Sequence, residues 1–380
     1  MMKNKRLFCS DYMMIINKIM YTCVSVIICA MICMATTFLS GCTNIHTQND
    51  KISKDIYAMD TYMSLSVYEN EKAANAILEK ATDEIRRIEG LVSAHKEGSE
   101  LEKLNNSGTA TFSKDGVAIL EKSIEIYEMT EGAFNPAIYP IMELWGFSTK
   151  EYRVPENEEL QQKLTNMDAS QIRIEYADNN SDDVITEDIT NDIAASATVT
   201  VPEGMKLDFG GIAKGYTSDR IISLLSENGV KHAIINLGGN VHTLGTKPDG
   251  TPWNTAIKHP ENEGYLGVVE VVDKAVITSG GYERYFEEAG KTYHHIINPQ
   301  TGYPAESGVI SVSIISSDGM LADGLSTALY VMGYEKAVSL WKENSEIFDF
   351  VMMTNDGNVY ITEGIKDNFA SDYSYEVINN

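Results

Sequence analysis

All five cysteines of this 380-residue chain lie at or before position 42, so the rest of the chain must fold without a thiol. A disulfide framework, a zinc–thiolate site and a catalytic cysteine are therefore excluded for the body of the protein. The hydrophobic content of 43% is that of a globular protein. The length fits one large domain or two ordinary ones.

The cysteine-containing end has the pattern of an export signal. Residues 19–39 form an apolar run behind a basic stretch, and Leu39-Ser40-Gly41-Cys42 follows as in a bacterial lipobox. We expect residues 1–41 to be a lipoprotein signal peptide and Cys42 to be lipidated, for example with palmitate. Residues 42–54 would form a lipidated polar tether. A retained transmembrane helix is the alternative, and both place the body at the membrane, outside the cytoplasm.

The charge balance narrows the range of partners. Against 30 Lys and Arg the chain has 55 Asp and Glu, which gives a formal charge of −25. A nucleic-acid-binding protein needs a basic excess to neutralise phosphates, so we expect no nucleic acid as partner. An anionic small ligand stays possible, because a local cation or metal ion can reverse the field at one site.

Hydrophobic periodicity predicts a mixture of helices and strands without strict alternation, and hence an α+β fold. We expect one compact two-lobed domain over residues 55–370, its active site in the cleft between the lobes, and a tail over 371–380. Residues 178–192 are polar and acidic, which favours a surface loop. The helices are predicted over about 71–92, 212–228 and 320–332, with another around 117–127 that ends before Gly132. The strands are predicted over 57–68, 233–237, 253–257, 267–272, 275–278, 309–316, 348–353 and 358–362.

A Gly-Gly pair opens the predicted helix at 212–228. The segment Asp208-Phe209-Gly210-Gly211-Ile212-Ala213-Lys214 lets main-chain N–H groups approach a phosphate, and a helix N-terminus favours an anion. Lys214 would stand in the first helical turn, where a cation opposes the helix dipole unless an anion is nearby. A plain strand–helix turn explains the same residues equally well.

Asp323 and Thr327 lie one turn apart on the predicted helix 320–332, on the face opposite Leu325 and Leu329. Two hard oxygens suit Mg²⁺, which takes few protein ligands and completes its shell with substrate phosphates. A solvated helix face needs no metal and is the alternative interpretation.

A third motif places two histidines before a turn, in Tyr293-His294-His295-Ile296-Ile297-Asn298-Pro299. Neighbouring residues on a strand point to opposite faces, so the two imidazoles do not easily share a metal ion. One of them can face a cleft as a base, although a lone histidine on a strand is more often structural. Two further glycine turns follow predicted strands, at Asn236–Asn240 and at Thr278–Arg284, the latter beside a charged pair.

Taken in order, these motifs resemble those of the ApbE family of FAD:protein FMN transferases, from Met59 to Gly333. The family's F-[DN]-P…L-W-G-F block stands here as Phe134-Asn135-Pro136 and Leu144–Phe147. The other matching segments are Met59-Asp60-Thr61, Ser93–Asn105, Asp208–Gly215, Asn236–Asn240, Thr278–Arg284, His295–Pro304 and Ala322–Ala328. A lipobox also suits the family, many of whose members are exported lipoproteins.

The resemblance implies roles for individual residues. Mg²⁺ would be held by a main-chain oxygen of Gly211 and by the side chains of Asp323 and Thr327, and His295 would be the base. Residues implied to contact FAD are Met59, His95, Ala133, Phe134, Asn135, Asp208, Lys214 and Ile297. The chain departs from the family pattern at Asp60 in place of Gly, at Asn135 where many members have Asp, and at His95.

The activity implied is Mg²⁺-dependent transfer of FMN from FAD to a threonine hydroxyl of an acceptor protein, with release of AMP. Family acceptors carry roughly D-G-x-[ST]-G-A-T, which this chain lacks, so it would act on another flavoprotein. The residue at position 95 is tied in the family to the balance between transfer and hydrolysis. A Mg²⁺-dependent FAD pyrophosphatase is therefore the alternative within the family, and a lipid-anchored solute-binding protein is the alternative from another class.

Overall fold

The structure, a computed structural model, describes residues 50–176 and 196–380. The first eight strands of this part are β1 (Asp50–Ala58), β2 (Thr61–Glu69), β3 (Thr109–Phe112), β4 (Arg173–Tyr176), β5 (Ala197–Thr200), β6 (Ala233–Leu237), β7 (Asn240–Leu244) and β8 (Trp253–Lys258). The others are β9 (Tyr265–Val271), β10 (Ala275–Gly280), β11 (Tyr285–Glu288), β12 (Lys291–His294), β13 (Val309–Ser316), β14 (Asp349–Thr354), β15 (Val359–Thr362), β16 (Phe369–Ala370) and β17 (Glu376–Ile378).

The α-helices of the described residues are α1 (Glu71–Val92), α2 (Glu100–Ser107), α3 (Lys114–Met129), α4 (Tyr139–Leu144), α5 (Asn157–Leu164), α6 (Ala213–Glu227), α7 (Gly319–Met332) and α8 (Tyr334–Asn344). Short 3₁₀ turns are formed at Pro136–Ile138, Ala169–Gln171 and Glu363–Ile365. Helices and strands alternate only locally, so the predicted α+β class is confirmed.

A sheet of nine strands organises the fold, in the order β1-β2-β6-β7-β10-β13-β14-β15-β17. Its neighbours pair antiparallel except β15 and β17, which run parallel. Helix α7 packs on β10 and β13 and against α6, which contacts β7. The described residues, 50–176 and 196–380, belong to one compact unit, and three smaller sheets accompany the large one.

The helices begin and end where their sequences provide caps. The Asn70 side chain accepts a hydrogen bond from the main-chain N–H of Ala73 at the start of α1. Asp318 caps α7 in the same way through Leu321, and Gly333 follows the last turn with a φ of 80°. Helix α1 has the predicted bounds, 71–92. The observed bounds of α6 and α7 differ by at most one residue at each end from the predicted bounds, 212–228 and 320–332.

The single strand predicted over 57–68 is wrong, because the chain reverses there. Ala58 pairs with Thr61, and the two residues between them form a tight hairpin turn. Met59 and Asp60 both have positive φ, 48° and 61°, which is the geometry of a two-residue hairpin that matches strand twist. Neither residue is a glycine, so the usual sequence signal of such a turn is absent.

The predicted domain boundaries also differ at both ends of the described chain. Strand β1 begins at Asp50, so residues 50–54, expected in the tether, belong to the large sheet. Residues 376–378, expected in the tail, pair with β15, and Ile378 is buried. The predicted signal peptide, Cys42 and the loop at 178–192 lie outside the described residues. None of the described helices has the length and apolar character needed to cross a membrane.

Candidate active site

A cavity of about 310 Å³ lies where the β1–β2 turn, the N-terminus of α6, the end of β10 and helix α7 converge. Two further segments complete its walls, residues 133–142 and residues 295–299. We call this cavity the cleft. Its size is within the range of small-molecule sites. A second cavity adjoins it and shares Met59, Asp208, Lys214 and Arg284 with it.

The cleft brings together eleven of the twelve residues that the sequence motifs single out within the described chain. The eleven are Met59, Ala133, Phe134, Asn135, Asp208, Gly211, Lys214, His295, Ile297, Asp323 and Thr327. The twelfth, His95, lines the adjoining cavity. Residues separated by up to 268 positions in the sequence therefore share one site.

The N-terminus of α6 faces the cleft as the Gly-Gly motif predicts. The Asp208 carboxylate accepts a hydrogen bond from the Gly210 N–H at 2.6 Å, which fixes the turn before the helix. Lys214 follows in the first helical turn and makes no ion pair with the described carboxylates, although it is close enough to offset part of the rise that burial causes in the pKa of Glu283. A helix N-terminus and an unpaired ammonium group together favour an anionic ligand.

Asp323 and Thr327 reach the cleft from α7. Asp323 is 5% exposed, and one of its oxygens, Oδ2, accepts a hydrogen bond from the Gly215 N–H at 2.8 Å. A Cβ atom placed on Gly211 would lie 3.5 Å from Thr327 Oγ1, so these two residues adjoin. Helices α6 and α7 can approach this closely because Gly215 has no side chain, and a Cβ there would meet Gly319 O at 2.2 Å.

The side-chain oxygens of Asp323 and Thr327 suit a hard cation such as Mg²⁺. A carboxylate buried without a cationic partner is costly unless it binds a metal ion or another positive group. The side-chain donors are one carboxylate and one hydroxyl, and a main-chain oxygen of the adjoining Gly211 would add a third, a small set that leaves coordination positions for water or phosphate. The described residues contain no group of three His, Cys, Asp or Glu side chains suited to a metal, at this site or elsewhere.

His295 stands just after β12, with its ring near Phe147 at a centroid distance of 6.3 Å. Its Nδ1 atom lies 3.1 Å from the main-chain carbonyl of Arg284. A carbonyl can only accept, so Nδ1 carries the proton and Nε2 keeps its lone pair. Desolvation in the cleft wall and the Arg284 guanidinium lower the pKa of His295 to about 3, so the imidazole is neutral near pH 7.

The neighbouring His294 does not share this site. It lines a separate cavity with Lys291, Glu306 and Ser307, and its ring packs edge-on against Tyr330 at 5.5 Å. Burial lowers its pKa. The expectation that the two imidazoles face opposite sides is confirmed.

His95 occupies an exposed position in the adjoining cavity. Its ring lies 5.8 Å from that of Tyr139, with Nδ1 3.5 Å from the tyrosine hydroxyl. Burial and nearby carboxylates raise the pKa of Tyr139 to about 12, so its hydroxyl stays protonated. The His95 side chain is thus at the edge of the combined site rather than at its centre.

Asn135 uses its side chain within the protein. Its carbonyl oxygen accepts from the Ala137 N–H at 2.8 Å, and its amide donates to the Met167 carbonyl at 2.8 Å. Asn135 thereby holds the 3₁₀ turn that carries the cleft wall. Neighbouring Phe134 is buried, and its ring would lie 3.2 Å from a Cβ on Gly211.

Some cleft residues were not among the predicted site residues. Glu283 and Arg284 line the cleft from the turn after β10. Desolvation raises the pKa of Glu283, while Lys214 opposes the shift. Asn240 lies at the start of β7 and is 3% exposed. The charged pair and the glycine turn were visible in the sequence, but only the fold shows which of these side chains enter the cleft.

Comparison with known proteins agrees with this geometry. The sequence profile of the ApbE family matches residues 59–351. The chain belongs to the ApbE family. A curated relative from Treponema pallidum, named FAD:protein FMN transferase, is 34% identical over 81% of this chain and 85% of its own length. A Klebsiella pneumoniae protein of the same name is 30% identical over 88% of this chain and 99% of its own.

Solved ApbE structures share the fold. The crystal structure of the ApbE protein from Thermotoga maritima has a TM-score of 0.74 and 29% identity, covering 84% of this chain and 99% of that one. The flavin transferase ApbE from Vibrio cholerae has a TM-score of 0.70 and 25% identity over the same shares. The ApbE match begins at Met59 in the hairpin turn and extends through the cleft residues to Val351 in β14.

Proposed function

We propose that this chain is an FAD:protein FMN transferase that moves FMN from FAD to a threonine hydroxyl of an acceptor protein and releases AMP. The observation that carries the proposal is one cleft that unites an oxygen donor set, an unpaired lysine and a neutral histidine. The names of the T. pallidum and K. pneumoniae relatives support it.

The diphosphate of FAD fits the donors at the N-terminus of α6. The main-chain N–H of Gly211 and the Lys214 ammonium would bind its anionic oxygens, since no described carboxylate pairs with that lysine. Met59, Ala133, Phe134, Asn135, Asp208 and Ile297 would contact the rest of the dinucleotide, and His95 would contact it from the adjoining cavity.

Asp323, Thr327 and the main-chain oxygen of Gly211 would hold Mg²⁺. A bound Mg²⁺ would neutralise charge on the diphosphate and on the leaving AMP. The protein's own contribution is to hold these three donors at one place. Gly215 contributes to this by orienting one of them, the Asp323 carboxylate, through its N–H group.

His295 would act as general base at Nε2. The acceptor threonine hydroxyl gives its proton to Nε2 while its oxygen attacks the FMN-side phosphorus. The bond from that phosphorus to the bridging oxygen breaks, and AMP leaves with the electron pair. The Arg284 carbonyl holds the proton on Nδ1 throughout. A bound anionic diphosphate would raise the His295 pKa toward the range where a base works best.

The acceptor would be a flavoprotein with a motif resembling D-G-x-[ST]-G-A-T. This chain has Ala194-Ala195-Ser196-Ala197-Thr198 after Asp192, which lacks both glycines of that motif. Part of it, residues 192–195, lies outside the described residues. We therefore propose that the protein modifies another chain.

We further propose that the mature protein is anchored to the cell membrane by lipid on Cys42, on the extracytoplasmic side. The support is the apolar run and Leu39-Ser40-Gly41-Cys42 in the sequence. A Cys42→Ala variant expressed in a bacterial host should be unprocessed or released from the membrane fraction. Processing and anchoring like the wild type would contradict the lipobox interpretation.

Purified protein incubated with FAD and Mg²⁺, with and without a candidate acceptor, tests the function. Transfer predicts AMP together with a covalently flavinylated acceptor. AMP and free FMN in equal amounts, without acceptor labelling, would favour the FAD pyrophosphatase. FAD recovered unchanged would favour a solute-binding protein.

A further inference from the structure

The side-chain amide of Asn240 is a buried donor without a partner. Asn240 is 3% exposed and lines the cleft. Its Nδ2 atom has no contact with solvent and no hydrogen-bond acceptor in the described structure. Burying an amide without a partner is unfavourable, and such groups in folded proteins usually have a role that explains them.

The position of Asn240 follows from the strand that carries it. Its alternate neighbour on β7, His242, points toward α6, because His242 Nδ1 lies 3.0 Å from Ser218 Oγ of that helix. Residues two apart on a strand share a face, so Asn240 also faces α6. Ser218 is one helical turn after Lys214, which lines the cleft with Asn240.

The turn before Asn240 holds it in place. Gly238 and Gly239 have φ values of 67° and 98°, which side chains rarely adopt. A Cβ on Gly238 would lie 2.3 Å from Thr61 Oγ1, so the β6–β7 turn packs tightly on the β1–β2 hairpin. The Asn236 side chain accepts from the Gly239 N–H at 2.8 Å. This rigid turn leaves Asn240 little freedom to find another partner.

We propose that Asn240 is a further substrate-binding residue, whose amide donates a hydrogen bond to an anionic phosphate oxygen of the dinucleotide. This inference rests on the proposed function. An amide N–H can only donate, and the nearby Lys214 ammonium and helix N-terminus favour an anion at this place. Asn240 would thus contact the diphosphate from the sheet side, opposite the donors of α6.

Two variants at Asn240 and one control test the proposal. Asn240→Asp keeps the shape but replaces the donor by a negative charge, and Asn240→Leu removes the polar group. Asn254→Asp makes the same charge change at an exposed position of β8, outside the cleft. Affinities for FAD and for riboflavin, which has no phosphate, are measured with EDTA present so that FAD is not turned over. Melting temperatures are measured with and without FAD.

We expect Asn240→Asp to weaken FAD binding by about tenfold or more, the effect of one hydrogen bond to a charged group. Riboflavin binding should be unchanged, and Asn254→Asp should behave as the wild type. Without ligand, Asn240→Leu should melt at or above the wild-type temperature, because no native hydrogen bond is lost. FAD should raise its melting temperature less than that of the wild type.

Unchanged FAD affinity in both Asn240 variants would overturn this inference alone. Equal losses for FAD and riboflavin, with a lower melting temperature, would also overturn it and assign Asn240 a structural role. A wild-type protein that binds no FAD would instead contradict the proposed function, and this inference with it.

Discussion

The Nδ1–H group of His295 donates a hydrogen bond to the main-chain carbonyl of Arg284 at 3.1 Å. The same carbonyl accepts from the His295 main-chain N–H, also at 3.1 Å. Ring and backbone are thus fixed to one oxygen, which selects the tautomer with a free lone pair on Nε2. This contact distinguishes His295 from His294, which lines a different cavity.

Replacing His295 by Asn should reduce FMN transfer by about 10²–10⁴-fold, the usual contribution of a positioned general base. FAD binding should persist, because other groups hold the dinucleotide. His294→Asn is the matched control and should have a much smaller effect. Initial flavinylation rates of both variants, measured at saturating FAD, test this difference. Equal impairment of the two variants would mean that His295 has a structural role.

Replacing Asp323 by Asn should remove a metal ligand while the fold survives, because the amide oxygen can still accept from the Gly215 N–H. At a fixed FAD concentration, the rate of AMP release should fall by at least about 100-fold. The variant should also require a higher Mg²⁺ concentration for half-maximal activity. Asp318→Asn on the same helix is the control, since Asn also caps helices well. An Asp323→Asn enzyme with wild-type Mg²⁺ dependence would contradict the assignment.

Replacing Gly215 by Ala should destabilise the protein by about 1–3 kcal/mol, because the new Cβ would meet Gly319 O at 2.2 Å and Asp323 Cβ at 2.7 Å. Gly90→Ala, near the end of α1 and without a close contact, should raise stability by about 0.5–1 kcal/mol. Urea unfolding measures the change in the free energy of unfolding for both variants. A Gly215→Ala protein as stable as the wild type would mean that α6 and α7 are not in close contact.

Acid should destabilise the protein partly through His242. Burial lowers its pKa to about 4, although the Asp273 and Asp318 carboxylates oppose the shift. An unfolded histidine titrates at about 6.5, so the unfolded chain binds more protons between these values. The contribution of His242 to stability is therefore complete above pH 6.5 and falls as the pH drops toward 4, by up to about 1.4 kcal/mol per unit.

The variant His242→Asn isolates that contribution. Its amide can replace the contact of His242 Nδ1 with Ser218 Oγ, but it does not titrate. Asp219, whose pKa burial raises to about 7, is present in both proteins, although its Oδ1 atom lies 3.5 Å from His242 Nδ1 in the wild type and its titration is coupled to that of the imidazole. Unfolding free energies at pH 7.5 and 5.0 should differ less in the variant than in the wild type. An identical pH dependence would mean that the pKa of His242 is the same in the native and the unfolded protein.

Elements with a strong local pattern could be predicted from the sequence. Helix α1 has apolar residues at helical spacing, and β13 is rich in Val and Ile, so both were predicted with the observed bounds. The β1–β2 turn was missed because both of its central residues, Met59 and Asp60, have positive φ although neither is a glycine. The edge strand β17 was missed because three residues carry too little pattern, and only pairing with β15 defines it.

The sequence motifs predicted individual site residues, but they did not predict how these residues are arranged. Lys214, His295 and Asp323 were each identified from their own segments, but nothing in those segments states that they meet. That result depends on the order of strands in the sheet and on the packing of α6 against α7. Asn240 was missed as a site residue because its unpaired amide is a property of tertiary packing.

The measurement that tests the central claim most directly is intact-mass analysis of an acceptor flavoprotein incubated with this protein, FAD and Mg²⁺. The acceptor should gain the mass of one FMN group on a threonine, with one AMP released per acceptor labelled. The same reaction with the His295→Asn protein should leave the acceptor unmodified over that time. An acceptor that stays unmodified with the wild-type protein while FAD is converted to FMN and AMP would contradict the account.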